Sequence, residues 1–377
     1  MVLNKTILVL FNSKSAVYGF QEEILLRLNR EGFNLIISAP ESQKETKDQF
    51  KFQFLPTLIE RRGLNPFQDI RLFFSYRKYL KKYRPFVVLS YTVKPNIYGG
   101  LACRISKVPH IANITGLGTS IQNKGILQRI VLWLTKKGLY QARKVFFQNS
   151  SNRDFYVEKG IVRPNQTVLI PGSGVNLERH PFEPYVEESE KTTRLLFIGR
   201  MMKDKGLNEL LEALPVVRTK KPNVICDLVG PYEEHSFEPL IERYESEGHG
   251  KYLGVSDDVH NLIKQYHAVV LPSYHEGMAN VLLEAAACGR PVLASNVPGC
   301  RETFDEGVSG LGFKAKSVDS LVSVIERFIT LPYEKKVAMG LAGRKKMEQE
   351  FDRQIVVEAY MKEIKAILSD KEGVHHD

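Results

Sequence analysis

The chain has 377 residues, 43% hydrophobic and 25% charged, with 27 Gly and 18 Pro, a globular balance that excludes a low-complexity or disordered protein. Its length predicts two domains of about 150–200 residues each. The net charge of +10 is split unevenly: residues 1–180 hold 28 Lys and Arg against 11 Asp and Glu, whereas residues 181–377 hold 25 against 32. A basic half attracts polyanions, which leaves nucleic acid, an anionic membrane surface and a phosphorylated substrate as candidates.

The first apolar run, Thr6-Ile-Leu-Val-Leu-Phe11, reads as a buried parallel strand and is too short for a signal peptide. An amphipathic helix over 20–30 and a strand over 34–39 follow. Next come a basic helix over 65–83, a strand over 86–90, a helix near 97–106 and a strand over 110–114. A long apolar and basic helix over 126–142 and a strand over 144–148 complete the series. Strand-then-helix alternation predicts a parallel sheet covered on both faces. Between 168 and 191 the pattern breaks into Pro171-Gly-Ser-Gly174, Pro181, Pro184 and an acidic run, the best linker. A second series has strands over 194–199, 224–229, 268–271 and 291–295. The fold expected is α/β, with two doubly wound Rossmann-like domains facing across a cleft: residues 1–175, residues 190–352, and a final helix from about 353 that crosses back onto the first domain. Ligands of such sheets sit outside the carboxyl ends of the strands.

No stretch reaches the roughly 20 apolar residues of a membrane span. Cys103, Cys226, Cys288 and Cys300 are far apart and show no C-x-x-C spacing, so a reduced cytosolic protein is expected and a zinc site is not.

Two segments carry chemistry. In Leu271-Pro-Ser-Tyr-His-Glu-Gly-Met-Ala-Asn-Val-Leu-Leu-Glu284 a strand end runs into a helix, with Gly277 at the turn and Asn280 near the helix start, whose free N–H groups form an anion site. Glu276 and Glu284 would lie at most about 12 Å apart along a helix axis, beyond the roughly 5–9.5 Å carboxyl spacing of glycoside hydrolysis. They suit two parts of one elongated ligand, or else are ordinary helix carboxylates. In Phe197-Ile-Gly-Arg-Met-Met-Lys-Asp-Lys-Gly206 a strand enters a glycine turn carrying Arg200, Lys203 and Lys205. Cations there suit phosphate oxygens, the alternative being a solvated basic loop.

Together these segments resemble the retaining GT-B glycosyltransferases of family GT4, through nearly the whole chain and most strongly over 195–313. Glu276 and Glu284 match the family's E-x7-E signature, and Gly199, Arg200, Lys205 and Gly206 match its glycine–arginine turn. The resemblance implies that Arg200 and Lys205 neutralise the leaving diphosphate, that Glu276 holds donor-sugar hydroxyls and that Glu284 binds the ribose. Gly277, Met278, Ala279, Asn280 and Val281 would present backbone N–H groups to sugar and phosphate, and Val255 with its neighbours would contact the base. Two departures lie in the N-terminal half. Many relatives have a Gly-Gly turn after the first strand, where this chain reads Ser13-Lys-Ser-Ala-Val-Tyr-Gly19. Many also place a histidine beside the sugar where this chain has Thr115, which with Gly116 is expected to contact substrate. The Thr-Gly-Leu-Gly form, with Ser90-Tyr-Thr-Val-Lys-Pro-Asn96 upstream, resembles a subgroup that assembles bacterial capsule, O-antigen and lipid-linked glycans, often from UDP-N-acetylhexosamines. His110 reads as structural.

The activity implied is retaining transfer of a hexose or N-acetylhexosamine from a nucleotide sugar, UDP-linked, to a polyprenyl-diphosphate-linked saccharide. No Asp-x-Asp pair suggests a metal, and no cofactor is expected. The basic helices interleave aromatics with cations, as in Arg71-Leu-Phe-Phe-Ser-Tyr-Arg-Lys78, and suit an anionic membrane surface, which places the protein in the cytoplasm on the inner face of the cell membrane. The alternative is core helices with a solvated charged face. A UDP-sugar 2-epimerase of the same architecture is the alternative enzyme. A nucleic-acid binder is disfavoured because no recognition motif accompanies the charge.

Overall fold

The computed structural model describes residues 5–13, 17, 19, 21–40, 52–59, 65–116, 125–187 and 192–373. It forms two compact units, one of residues 1–173 with 354–377 and the other of 174–353.

The first unit holds a seven-stranded parallel sheet of order β3-β2-β1-β4-β5-β6-β7. Its strands are β1 (Thr6–Leu10), β2 (Asn34–Ala39), β3 (Gln53–Pro56), β4 (Val87–Tyr91), β5 (His110–Ile114), β6 (Lys144–Phe147) and β7 (Thr167–Leu169). β1 shows why its sequence is continuously apolar: Ile7 and Val9 pack on one face with Ile24 and Leu28, while Leu8 and Leu10 pack on the other with Leu72 and Tyr76. The basic helix is Pro66–Tyr83, begun by Asn65, whose side chain accepts from the Phe67 amide at 3.1 Å, and by Pro66 at its first position. The last helix, Arg353–Gly373, belongs to this unit. Val356, Val357, Tyr360, Met361 and Ile364 are buried with Ile7 and Val9, Tyr360 stacks on Phe146 with ring centroids 4.5 Å apart, and its hydroxyl donates to the Asn113 side chain.

The second unit holds a five-stranded parallel sheet of order β12-β11-β10-β8-β9. Its strands are β8 (Thr193–Ile198), β9 (Val224–Val229), β10 (Ala268–Leu271), β11 (Val292–Ser295) and β12 (Gly310–Phe313). The strand order reverses between β8 and β10, so the loops after these two neighbours splay apart and open a crevice at their carboxyl ends. Three strands go beyond the sequence expectation, namely β3, β7 and β12. All are sheet edges of three or four residues, with Pro in β3 and two Gly in β12, and so lack the long apolar run that marks a central strand.

Candidate active site

The loops after β8 and β10 carry the two motifs, and the fold brings them together at the reversal of strand order. After β8 the chain passes through Gly199 and Arg200 into a 3-10 turn, Lys203–Lys205, and then into the helix Leu207–Lys220. Gly206 joins turn to helix at φ +70, where a β-carbon would stand 2.0 Å from the Pro272 carbonyl oxygen of the facing loop. Only glycine allows both the left-handed backbone and that approach. The Tyr274 amide donates to the Asp204 carbonyl at 3.0 Å, a second tie between the loops.

Lys205 therefore reaches Glu276: its Nζ donates to Glu276 Oε1, and the buried Ser273 hydroxyl donates to the same oxygen at 2.7 Å. Arg200 Nη1 donates to Glu233 at 3.0 Å. Arg200 and Lys205 are thus each half-buried and held by a carboxylate. The Tyr274 hydroxyl donates to Glu209 at 2.7 Å, and Lys316 lies 4.6 Å over the Tyr274 ring. His275 is held below the ordinary imidazole range, chiefly by burial, although Asp204 and Glu276 pull the other way.

The helix after β10 is Asn280–Ala287, and Ala279 at its N-cap offers no side-chain acceptor. Among the described residues, the amides of Met278, Asn280 and Val281 make no hydrogen bond, and the buried Asn280 Oδ1 has no partner. An uncapped helix start with open donors is a place for an anion. The expectation for the whole Gly277 to Val281 stretch needs correction at Ala279, whose amide donates to the Gly299 carbonyl at 2.7 Å. Gly277 has a partner of its own.

Glu284 lies one turn into this helix, half-buried, with no hydrogen bond to its carboxylate among the described residues. Burial pushes its carboxyl up to about 7, against the attraction of Arg353. Val255 is an exposed apolar residue beyond β9, in a loop fixed by the Gly230 amide donating to the Gly254 carbonyl at 2.8 Å. Arg200, Lys205, Glu276 and the helix start thus all lie on the segments that follow β8 and β10. Thr115 and Gly116 lie in the other unit, at the carboxyl end of β5, with Gly116 at φ +146. The loop after β1 falls largely outside the described residues, as does Leu117 onward to 124. His110 is buried, its Nε2 2.7 Å from the Ser90 hydroxyl, with its pKa lowered to about 4 by burial; it sits inside the first unit's core.

Two family models match: one described as glycosyl transferases group 1 over residues 181–346, the other as glycosyl transferase 4-like over residues 7–149. The chain is a GT4-like glycosyltransferase. The glycosyltransferase is 28% identical over 372 residues to N,N'-diacetylbacillosaminyl-diphospho-undecaprenol alpha-1,3-N-acetylgalactosaminyltransferase of Campylobacter jejuni, covering 94% of this chain and 96% of that one. It is 26% identical to the capsular polysaccharide biosynthesis glycosyltransferase CapM of Staphylococcus aureus, over 88% of this chain and 89% of that one. Among solved structures it superposes on sucrose-phosphate synthase of Thermosynechococcus elongatus with a TM-score of 0.80 at 18% identity, over 97% and 99% of the two chains. It superposes on Anabaena HepE in complex with UDP and glucose with a TM-score of 0.75 at 17% identity, over 95% and 99%. These likenesses give the glycosyltransferase its GT-B fold.

The sequence alone gives no role to Ser273, Tyr274, His275, Glu233 or Glu209. Ser273, three residues before Glu276 in the motif, was the one signal within reach. Glu233 and Glu209 meet their partners only through the fold, from 33 and 65 residues away.

Two helices of the first unit carry exposed apolar residues followed by exposed cations. Phe67, Ile70 and Phe74 are exposed on Pro66–Tyr83, followed along the same face by Arg77, Lys78 and Lys81. Ile126, Ile130 and Trp133 are exposed on Ile126–Leu139, followed by Lys136 and Lys137. No helix among the described residues is long and apolar enough to cross a membrane.

Proposed function

We propose that this glycosyltransferase moves a hexose or N-acetylhexosamine, with retention, from a UDP-sugar to a polyprenyl-diphosphate-linked saccharide in surface-glycan assembly. The observation that carries the donor half is the convergence of Lys205 and Ser273 on Glu276 beside the uncapped start of Asn280–Ala287. An ammonium for phosphate oxygens and a carboxylate for sugar hydroxyls stand side by side. Lys205, Arg200 and the open amides of Met278, Asn280 and Val281 neutralise the departing diphosphate, Glu276 holds the sugar, Glu284 takes the ribose and Val255 lies against the base. The acceptor hydroxyl attacks on the face from which the diphosphate leaves, and a phosphate oxygen takes its proton. With three groups already supplying positive charge, turnover needs no divalent ion.

Support for the acceptor half comes from the Campylobacter relative, whose name specifies a diphospho-undecaprenol substrate. The donor base is supported by HepE, solved with UDP and glucose. Exposed aromatics followed by exposed cations on two helices suit an anionic membrane surface, where such an acceptor resides.

The test is a panel of UDP-, GDP- and dTDP-sugars, each with and without EDTA and a membrane-lipid extract, read as nucleotide release and lipid-linked product. One UDP-sugar consumed only with lipid, equally in EDTA, is expected. Release of UDP without acceptor, with an epimerised sugar, would instead make it a 2-epimerase.

A further inference from the structure

The four cysteines suggest no ligand set by spacing, yet the fold of the second unit gathers one of them with two histidines from distant segments. Cys288 ends the helix Asn280–Ala287, His260 lies on the helix Val259–Ile263, and His180 precedes β8. Cys288 Sγ is 3.1 Å from His260 Nδ1 and 4.0 Å from His180 Nδ1, and the three ligand atoms all lie within 4.8 Å of one another. Bond lengths of about 2.3 Å to sulfur and 2.0–2.1 Å to nitrogen put the two atoms about 3.5 Å apart around a tetrahedral Zn2+, between the two separations observed.

The surroundings are those of a held site. His260 Nε2 lies 3.0 Å from Glu183 Oε1. A carboxylate only accepts, so Nε2 carries the ring proton and Nδ1 turns its lone pair toward the sulfur, which is the carboxylate–histidine arrangement found behind metal-bound imidazoles. The backbone is also fixed at His180 and Cys288. Arg344 Nη1 donates to the His180 and Ala287 carbonyls at 2.9 and 3.0 Å, and Arg290 Nη1 donates to the Glu183 and Cys288 carbonyls at 3.0 and 3.1 Å. Cys288 is fully buried, while both histidines are half-buried, so a cation has an approach.

We propose that His180, His260 and Cys288 form a Zn2+ site, with water at the fourth corner, that clips the segment around His180 and the helix Val259–Ile263 to the end of Asn280–Ala287. The thiol proton is exchanged for the metal and passes to solvent. The ion would stand about 12 Å along the helix from Asn280, too far to touch a diphosphate at the helix start. It is a structural clip, distinct from the charge neutralisation proposed for turnover, and its test needs no sugar donor.

Full-length protein, stripped with EDTA, returned to chelator-free buffer and kept reduced with a phosphine, is titrated with Zn2+ against a chromophoric chelator and with Co2+ for its absorption spectrum. One equivalent with a thiolate-to-cobalt charge-transfer band is expected. The band should vanish in Cys288→Ala and persist in Cys103→Ala, and Glu183→Gln should weaken Zn2+ binding by about 10- to 100-fold. If Cys288→Ala fails to fold, His180→Ala, at a half-buried position, carries the same expectation of lost binding. Less than one equivalent bound, a cobalt spectrum without the thiolate band, or a band that survives in Cys288→Ala or His180→Ala would each overturn the site.

Discussion

The two units use positive charge in opposite ways. In the second, Arg200 and Lys205 are few, half-buried and each held by a carboxylate, Glu233 or Glu276. In the first, Arg77, Lys78 and Lys81 stand exposed along one helix face with no ion pair among the described residues. A held cation is aimed before its ligand arrives, so its effect is geometric and largely insensitive to salt. Exposed cations act as a diffuse field, screened within about 8 Å at physiological ionic strength. The sequence's excess charge lies in the half where each charge matters least individually.

The contrast is broken most directly at Lys205. Lys205→Ala should lower turnover by about 100- to 1,000-fold while circular dichroism and melting temperature stay near those of the parent. Near-normal turnover would mean the pair with Glu276 is only structural. Next in size, replacing Arg77, Lys78 and Lys81 together with Gln should cut binding to anionic vesicles by about a hundredfold at low salt, at about 1 kcal/mol per cation, and leave turnover of a detergent-soluble acceptor intact. Vesicle flotation checks it, and unchanged binding would return these helices to ordinary solvated faces. Glu276→Ala should cost about tenfold in discrimination between donor sugars differing at one hydroxyl, with UDP affinity changed less than about twofold by calorimetry. An equal loss in both would move Glu276 from the sugar to the nucleotide.

The smallest effect is pH-dependent. Burial raises the Glu284 carboxyl to about 7 from an ordinary 4.5, so the folded ligand-free protein binds the proton more tightly than the unfolded chain. Its contribution to stability is full below the unfolded value and is lost as pH rises through about 7. UDP affinity should move the opposite way, rising as the carboxylate forms to accept ribose hydroxyls. Glu284→Gln should flatten both trends between about pH 5 and about pH 8, measured by thermal melts and UDP titration. A parent protein whose melting temperature ignores this range would show that Glu284 is ionised throughout.

Central strands and both motifs were legible because their signals are local. β9 and β10 have the bounds that their apolar runs predict, and Arg200, Lys205 and Glu276 stand in short segments between strand and helix. What sequence could not supply was pairing. That Lys205 meets Glu276 follows from β8 lying beside β10, and that His180 and His260 meet Cys288 follows from packing across 108 and 28 residues. The Ala279 amide was misjudged for the same reason: Gly299, its acceptor, is 20 residues away and reaches it only because glycine lets the two backbones approach.

The helix Arg353–Gly373 has a further consequence. It follows the second unit in the chain but fills the first unit's core, between β1's apolar side chains and Phe146. On the ribosome, the sheet that begins first is therefore finished late, after the whole second unit has emerged and had time to fold. A nascent first unit would carry an open apolar trough for the interval, at risk of chaperone capture or aggregation. For the same reason, cutting the chain at its proline-rich linker does not yield two independent halves, and the amino-terminal piece should regain solubility only when the last helix is supplied as a separate peptide.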